Sequence, residues 1–206
     1  MPNAHTQTLP SLSFSKVPIL FLYGYTLSSL LLLLQTESRS LTLRKESYWI
    51  PFLCGFAGIL MCWAVPLLDW FQGIRIKRDP SHLLRCIGGF IGVNYAVCSF
   101  HGVQDAQLAV TLGILGIGLW FLFDRTLHGF LVGFVVAAVG TCFVSFLVRM
   151  DVYRCVFFPK TYLKSFRQSG FYGVPLWLPP VLYSSSILSG SVGRHLDLVP
   201  EHWYSV

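Results

Sequence analysis

Charged side chains are scarce in this chain. Lys, Arg, Asp and Glu make up 12% of its 206 residues, about half the ~25% of a soluble globular domain. A water-facing surface cannot be covered with so few, and the bilayer is the natural solvent for much of the molecule. Acids are scarcer than bases, nine against fifteen, for a formal net charge of +6. The excess bases sit in the gaps between apolar runs, opposite lipid headgroups. No basic face or stacking platform accompanies them, which argues against nucleic-acid binding. The chain has no N-x-S/T sequon, no H-E-x-x-H, no rhomboid-like G-x-S-G and no C-x-x-C pair, so zinc and intramembrane protease chemistry have no motif to stand on. Of the six cysteines, Cys54, Cys62, Cys86, Cys98 and Cys142 fall inside apolar runs and read as small buried hydrophobes. Only Cys155 lies in a loop. The first apolar run lacks an A-x-A-like cleavage site and is too long for a signal h-region, so it reads as a retained helix.

What the chain does have is apolar length. Hydrophobic residues make up 54% and mean hydropathy is +0.61. Residues 106–148 are almost unbroken apolar sequence, interrupted once by Asp124-Arg125-Thr126. About 20 residues at ~1.5 Å rise cross a ~30 Å hydrocarbon core, so this stretch predicts two antiparallel membrane helices with an acid and a base at their shared corner. Six runs can be drawn: 17–35, 49–68, 83–100, 106–123, 127–148 and roughly 171–191. The last is the weakest, being interrupted by Pro175, Pro179 and Pro180. The expectation is an all-α, polytopic six-transmembrane-helix bundle over residues 17–196, with a short tail at 1–16 and another at 197–206. An even number of spans puts both termini on one side. Which side is open, because alternating the loops divides the bases seven against eight, and the positive-inside rule favours neither orientation. The connection at 149–170 is the longest, with room for an interfacial amphipathic segment at 162–166.

Small residues recur at helix-packing spacing: Gly88 with Gly92, Gly129 with Gly133, Gly113, Gly116 and Gly118 on one helix, and Ser184 to Ser186 with Ser189 to Ser191 in the last run. Helices in lipid associate through such close-approach surfaces. Packing inside the bundle is the first expectation for them; the alternative leaves one face open for another membrane protein.

Chemistry inside a membrane needs ionisable groups that face each other, and few are available. Asp69, Asp79, Asp105, Asp124 and Asp151 all sit at helix ends or in loops. Asp124 and His128 are four apart, and with Arg125 they could form an acid/base cluster; a plain interfacial turn is the expected reading. No catalytic residues and no metal site are expected, and the chain reads as a non-enzyme. Within the runs, Asn94 and Gln107 stand out as polar. Each either makes an interhelical hydrogen bond or anchors a ligand with a large apolar body and few polar groups, such as a lipid with one hydroxyl.

The stretch Gly113 to Phe130, GILGIGLWFLFDRTLHGF, resembles the Insig (insulin-induced gene) family around its S-I-G-L-W-W-x-F-D-R-S-x-x-G-F segment. Trp49-Ile50-Pro51 with Cys54-Gly55 is similar to that family's W-V-P-P-C-C-G, and Pro66 and Asp69 follow in step. Lys77-Arg78-Asp79 stands where the family has K-R-E. Arg85-Cys86, Phe90 to Asn94, Gln107-Leu108 with Thr111-Leu112, Trp177 to Pro179, and Gly193 to Leu196 match further family segments in order. The resemblance runs from about Tyr48 to Leu196. Tyr95 departs from it, standing where vertebrate members have His, and the connection after the third run lacks a K-V-D-F segment.

The resemblance implies a six-helix endoplasmic reticulum protein with both termini cytosolic. It implies a sterol-dependent adaptor that holds Scap, the escort of SREBP, and links HMG-CoA reductase to degradation. The regulatory ligand is then an oxysterol of the 25-hydroxycholesterol kind, with no other cofactor. Phe90 and Gln107 are implied at the sterol cavity, joined by Asn94 and, as a weaker candidate, Trp120. Asp124, with Arg125 beside it, is implied in partner engagement. The alternatives kept open are a general diacylglycerol-like lipid binder and a small six-helix transporter.

Overall fold

The computed structural model describes residues 16–39, 49–72, 80–99, 105–149, 174 and 176–196. Among them are six helices: α1 Val17–Arg39, α2 Trp49–Gln72, α3 Pro80–Ser99, α4 Asp105–Phe123, α5 Leu127–Arg149 and α6 Leu178–His195. The expected segments at 77–79 and 162–166, and Cys155, lie outside the described residues. Three helices contain segments long and apolar enough to cross a membrane: Pro51–Asp69, Ala106–Phe123 and Leu127–Phe146. Large apolar side chains stand exposed around the bundle, among them Leu60, Ile114, Phe134 and Val139, each more than 60% exposed. Such a perimeter suits lipid, and the protein is a membrane protein, all-α among the described residues.

The sixth helix differs from its expectation in place and in rank. The expected run begins near residue 171 and is cut by prolines. The helix instead starts at Leu178, with Pro179 and Pro180 in its first turn. The first N–H groups of a helix have no intrahelical partner, so proline costs nothing there. The segment weakest in sequence is the central post of the fold, packing against α2, α3, α4 and α5. Every residue from Ser186 to Gly193 is buried. Hydroxyls that donate within the helix let serines be buried here: Ser184 donates to the Val181 carbonyl at 2.9 Å and Ser186 to that of Tyr183 at 2.7 Å, and half-buried Ser185 donates to that of Leu182 at 2.8 Å.

Close approach to α6 explains Pro66 inside α2. Proline cannot donate to the carbonyl four residues back, so the Cys62 carbonyl loses its helical partner. The backbone of Gly193 lies on that carbonyl, where a Cβ would collide with the oxygen. The α1–α2 pair crosses just as closely, with Gly24 against Gly58.

Helices α4 and α5, read from sequence as one hairpin, make their main contacts with α6 instead of with each other. The Tyr183 ring of α6 is the wedge between them. It sits against Gly116 of α4 and Gly133 of α5, with Phe130 edge-on at 6.0 Å. Internal packing therefore accounts for Gly116 and Gly133. Among the described residues it does not account for Gly88, Gly92, Gly113 and Gly118, where an added Cβ would meet nothing within 4 Å.

Candidate functional site

The α4–α5 corner is built by local hydrogen bonds that its sequence dictates. The amides of Asp124 and Arg125 both donate to the Trp120 carbonyl at 2.9 Å, closing α4. Arg125 then takes φ 54°, the left-handed conformation that a non-glycine residue adopts only when its surroundings hold it. Thr126 caps α5: its hydroxyl accepts from the Gly129 amide at 3.2 Å, the usual task of a threonine at this position. The same hydroxyl donates to Asp124 Oδ1 at 2.7 Å, and the Trp120 indole donates to the Thr126 carbonyl at 2.9 Å. Gly129 leaves room for the acid, since a Cβ there would collide with Asp124 Oδ2.

Asp124 is not the outward-facing corner charge that its place in the sequence suggests. Its side chain is 4% exposed and turned into the bundle. There Arg194, from the last turn of α6, donates from Nη1 to Asp124 Oδ1 at 2.7 Å. The same guanidinium donates from Nε to Asp69 Oδ2 at 2.6 Å and from Nη2 to Asp69 Oδ1 at 3.2 Å. Asp69, near the end of α2, also pairs with His128 Nε2 on α5. One guanidinium thus forks between two carboxylates, and four elements are tied at one end of the bundle. The interfacial-turn reading of Asp124 and His128 gives way to a charged cluster. The two do not meet on one helical face; Arg194 and Asp69 join them. Among the described residues, His128 Nδ1 is buried without a hydrogen-bond partner.

The same end of the bundle brings Lys16 and Leu196 together, the lysine Nζ donating to the Leu196 carbonyl at 2.9 Å. Residues at the start of α1 and the end of α6 therefore share a side, as an even number of spans requires.

The sterol candidates are spread over three environments. Phe90 is fully buried, packed with Leu20, Cys62, Cys86, Leu188 and Val192. Asn94 is also buried, and its amide donates to the Phe90 carbonyl at 2.8 Å, which satisfies one of its two N–H groups within α3. Gln107 is exposed on the first turns of α4. Trp120 is half-buried at the opposite end of α4, edge-on to Phe130 at 5.0 Å. Arg125 is exposed, its guanidinium 5.0 Å from the centre of the Phe121 ring and its Nε donating to the Phe121 carbonyl. Cys62 and Cys86 are the buried small hydrophobes expected of them, whereas Cys142 is exposed.

Sequence reasoning does not single out Asp69 and Arg194 as site residues. A signal for them exists: each is a lone charge bordering an apolar run, and alternation of six spans places the ends of α2, α4 and α6 on one side.

Residues 15–197 match the family model described as insulin-induced protein (INSIG). The insulin-induced gene 1 protein of Danio rerio is 32% identical over 191 residues, spanning 87% of this chain and 71% of that protein. The Homo sapiens protein of the same name is 32% identical over 199 residues, 91% of this chain and 68% of that one. Among solved structures, the mycobacterial Insig homolog MvINS from Mycobacterium vanbaalenii shares the fold, with a TM-score of 0.70 at 15% identity over 91% of this chain and 96% of its own.

Proposed function

The chain belongs to the insulin-induced protein (INSIG) family, and from that premise we propose that it is a non-enzymatic, oxysterol-dependent adaptor of the endoplasmic reticulum membrane. In this reading it binds sterol-sensing-domain proteins, Scap and HMG-CoA reductase, and represses SREBP processing and sterol synthesis. Both termini are cytosolic, which puts the Asp69–Arg194–Asp124 cluster at the cytosolic end. Phe90, Asn94, Gln107 and Trp120 serve the sterol, and the corner that Asp124 and Arg125 build serves the partner.

One observation supports the reading beyond family membership: among the described residues, α3 and α4 keep small-residue surfaces that no neighbouring helix fills. Gly88 and Gly92 lie on one stripe of α3 with exposed Ile91 and Tyr95, and Gly113 and Gly118 accompany exposed Ile114 and Ile117 on α4. Apolar surface alone gives helices no reason to associate in lipid, whereas bare glycines allow close backbone approach. A planar apolar ligand lying on such a face completes a packing surface for a second membrane protein. The ligand shifts partner binding only by its differential affinity for the complex; a ~100-fold shift corresponds to about 2.7 kcal/mol of coupling.

The test is co-precipitation of the tagged full chain with a sterol-sensing-domain partner, with and without 25-hydroxycholesterol. Capture that depends on the sterol supports the reading. A well-folded sample that captures nothing with any sterol sinks it, and a lipid panel read by thermal stability then identifies another ligand class. Phe90 is best probed as Phe90→Leu, because truncating a fully buried ring would cost about 3–5 kcal/mol of stability on its own.

A further inference from the structure

We propose that Asp69 and Arg194 are positioning residues for the α4–α5 corner. They hold Asp124 inward, so that Arg125 and Phe121, not the Asp124 carboxylate, form the face that a partner meets. The proposal rests on the adaptor reading for its partner and on geometry for the rest.

The Asp124 carboxylate is already committed. Oδ1 accepts from both Arg194 Nη1 and Thr126 Oγ1, at 2.7 Å each. Oδ2 lies over the Gly129 backbone, close enough to exclude a Cβ. With 4% of the side chain exposed, Asp124 cannot reach an outside donor without giving up its bonds from Arg194 Nη1 and Thr126 Oγ1, and a buried donor left without its acceptor is costly.

What does face outward is set by that inward anchor. Arg125 sits in the left-handed region at φ 54°, which an L-residue keeps only when neighbours over-determine it. The neighbour on its N-terminal side is Asp124, tied to α6 and through Asp69 to α2; on its C-terminal side is Thr126, tied to Asp124 and Gly129. So the corner is referenced to the central post of the bundle. The turn presents the Arg125 guanidinium and the Phe121 ring, which is 57% exposed, as one cation–π unit. Such a unit suits an interfacial partner surface carrying a carboxylate beside apolar side chains. A shift of α6 relative to α2 would pull on Arg194 and move the corner, linking ligand-dependent packing to partner capture.

The experiment uses the full chain in detergent micelles with Asp69→Asn, Arg194→Lys, Asp124→Asn and the Arg194→Lys/Asp124→Asn double variant. Hydrogen exchange is followed at the amides of residues 124–130. In parallel, the 25-hydroxycholesterol concentration for half-maximal capture of a purified sterol-sensing-domain partner is measured. Each single variant should speed corner exchange by about tenfold or more while the amides of α1 keep their protection. Each should raise the half-maximal sterol concentration, with the double variant within about twofold of the worse single, as for groups acting as one unit. Capture kept or improved in Arg194→Lys but lost in Asp124→Asn would overturn the proposal, because a freed carboxylate would then be the recognised group. Unchanged corner exchange, or faster exchange spread over all six helices, overturns it as well. If the unaltered chain captures no partner with or without sterol, the adaptor reading falls and the exchange arm alone decides the positioning.

Discussion

At the scale of single residues, the sequence marks Asp124 as conspicuous and leaves its direction undetermined. A charge in a three-residue turn is ordinarily solvated. Asp124 is not, because Arg194, 70 positions along the chain, reaches it from α6, and no local pattern carries that distance. The neighbouring Gly129 reads as half of a helix-packing pair; its first duty is to admit the Asp124 carboxylate. Gly129→Ala should therefore displace Asp124 and destabilise the protein by about 1–3 kcal/mol, as overpacking does, seen as a lower midpoint of unfolding in detergent. Arg194→Ala should cost more, about 3–5 kcal/mol, since it leaves two buried carboxylates without their common partner; denaturant titration of the same samples gives the comparison. Equal midpoints for Arg194→Ala and the unaltered chain would mean that the cluster is not sustained in the micelle.

At the scale of elements, five helices can be read from apolar length, with ends close to those observed. The sixth is legible in sequence, but its rank is not. Hydropathy reports how well a helix suits lipid, and α6 hardly meets lipid. Its neighbours demand small side chains instead, and hydroxyls bonded to the helix's own carbonyls cost little there. Its prolines read as interruptions only when the start of the helix is placed too early. The contact between Gly193 and the carbonyl freed by Pro66 holds α6 against α2, and it predicts that Gly193→Ala is poorly tolerated, because the Cβ would meet backbone, which cannot swing aside. A loss of about 1–3 kcal/mol is expected, whereas Gly92→Ala, with no described atom within 4 Å of the new methyl, should leave the unfolding midpoint unchanged or slightly raised and show its loss only in partner capture.

At the scale of the whole molecule, the arrangement turns on one wedge. Tyr183 separates α4 and α5, and its hydroxyl is buried without a hydrogen-bond partner among the described residues. Tyr183→Phe should thus be nearly neutral. Tyr183→Ala should lose about 3–5 kcal/mol, the range for removing a buried aromatic. A Tyr183→Phe variant as unstable as Tyr183→Ala would show that the hydroxyl has a partner in the membrane. The pairing of Lys16 with Leu196 makes a topological prediction too. Single cysteines at positions 16, 125 and 196 should be labelled by a membrane-impermeant reagent from one side, and a cysteine at position 49 from the other.

What the sequence by itself determined is the solvent, the apolar helices and the family, because apolar length, sparse charge and ordered motifs are all local properties. Tertiary structure alone decided which helix is central, which glycines are filled and which way Asp124 points. Those depend on residues far apart in the chain sharing one volume: Gly193 on Cys62, Tyr183 between Gly116 and Gly133, Arg194 between Asp69 and Asp124. A buried charge is tolerable only beside its counter-charge, and only the folded bundle brings the two together.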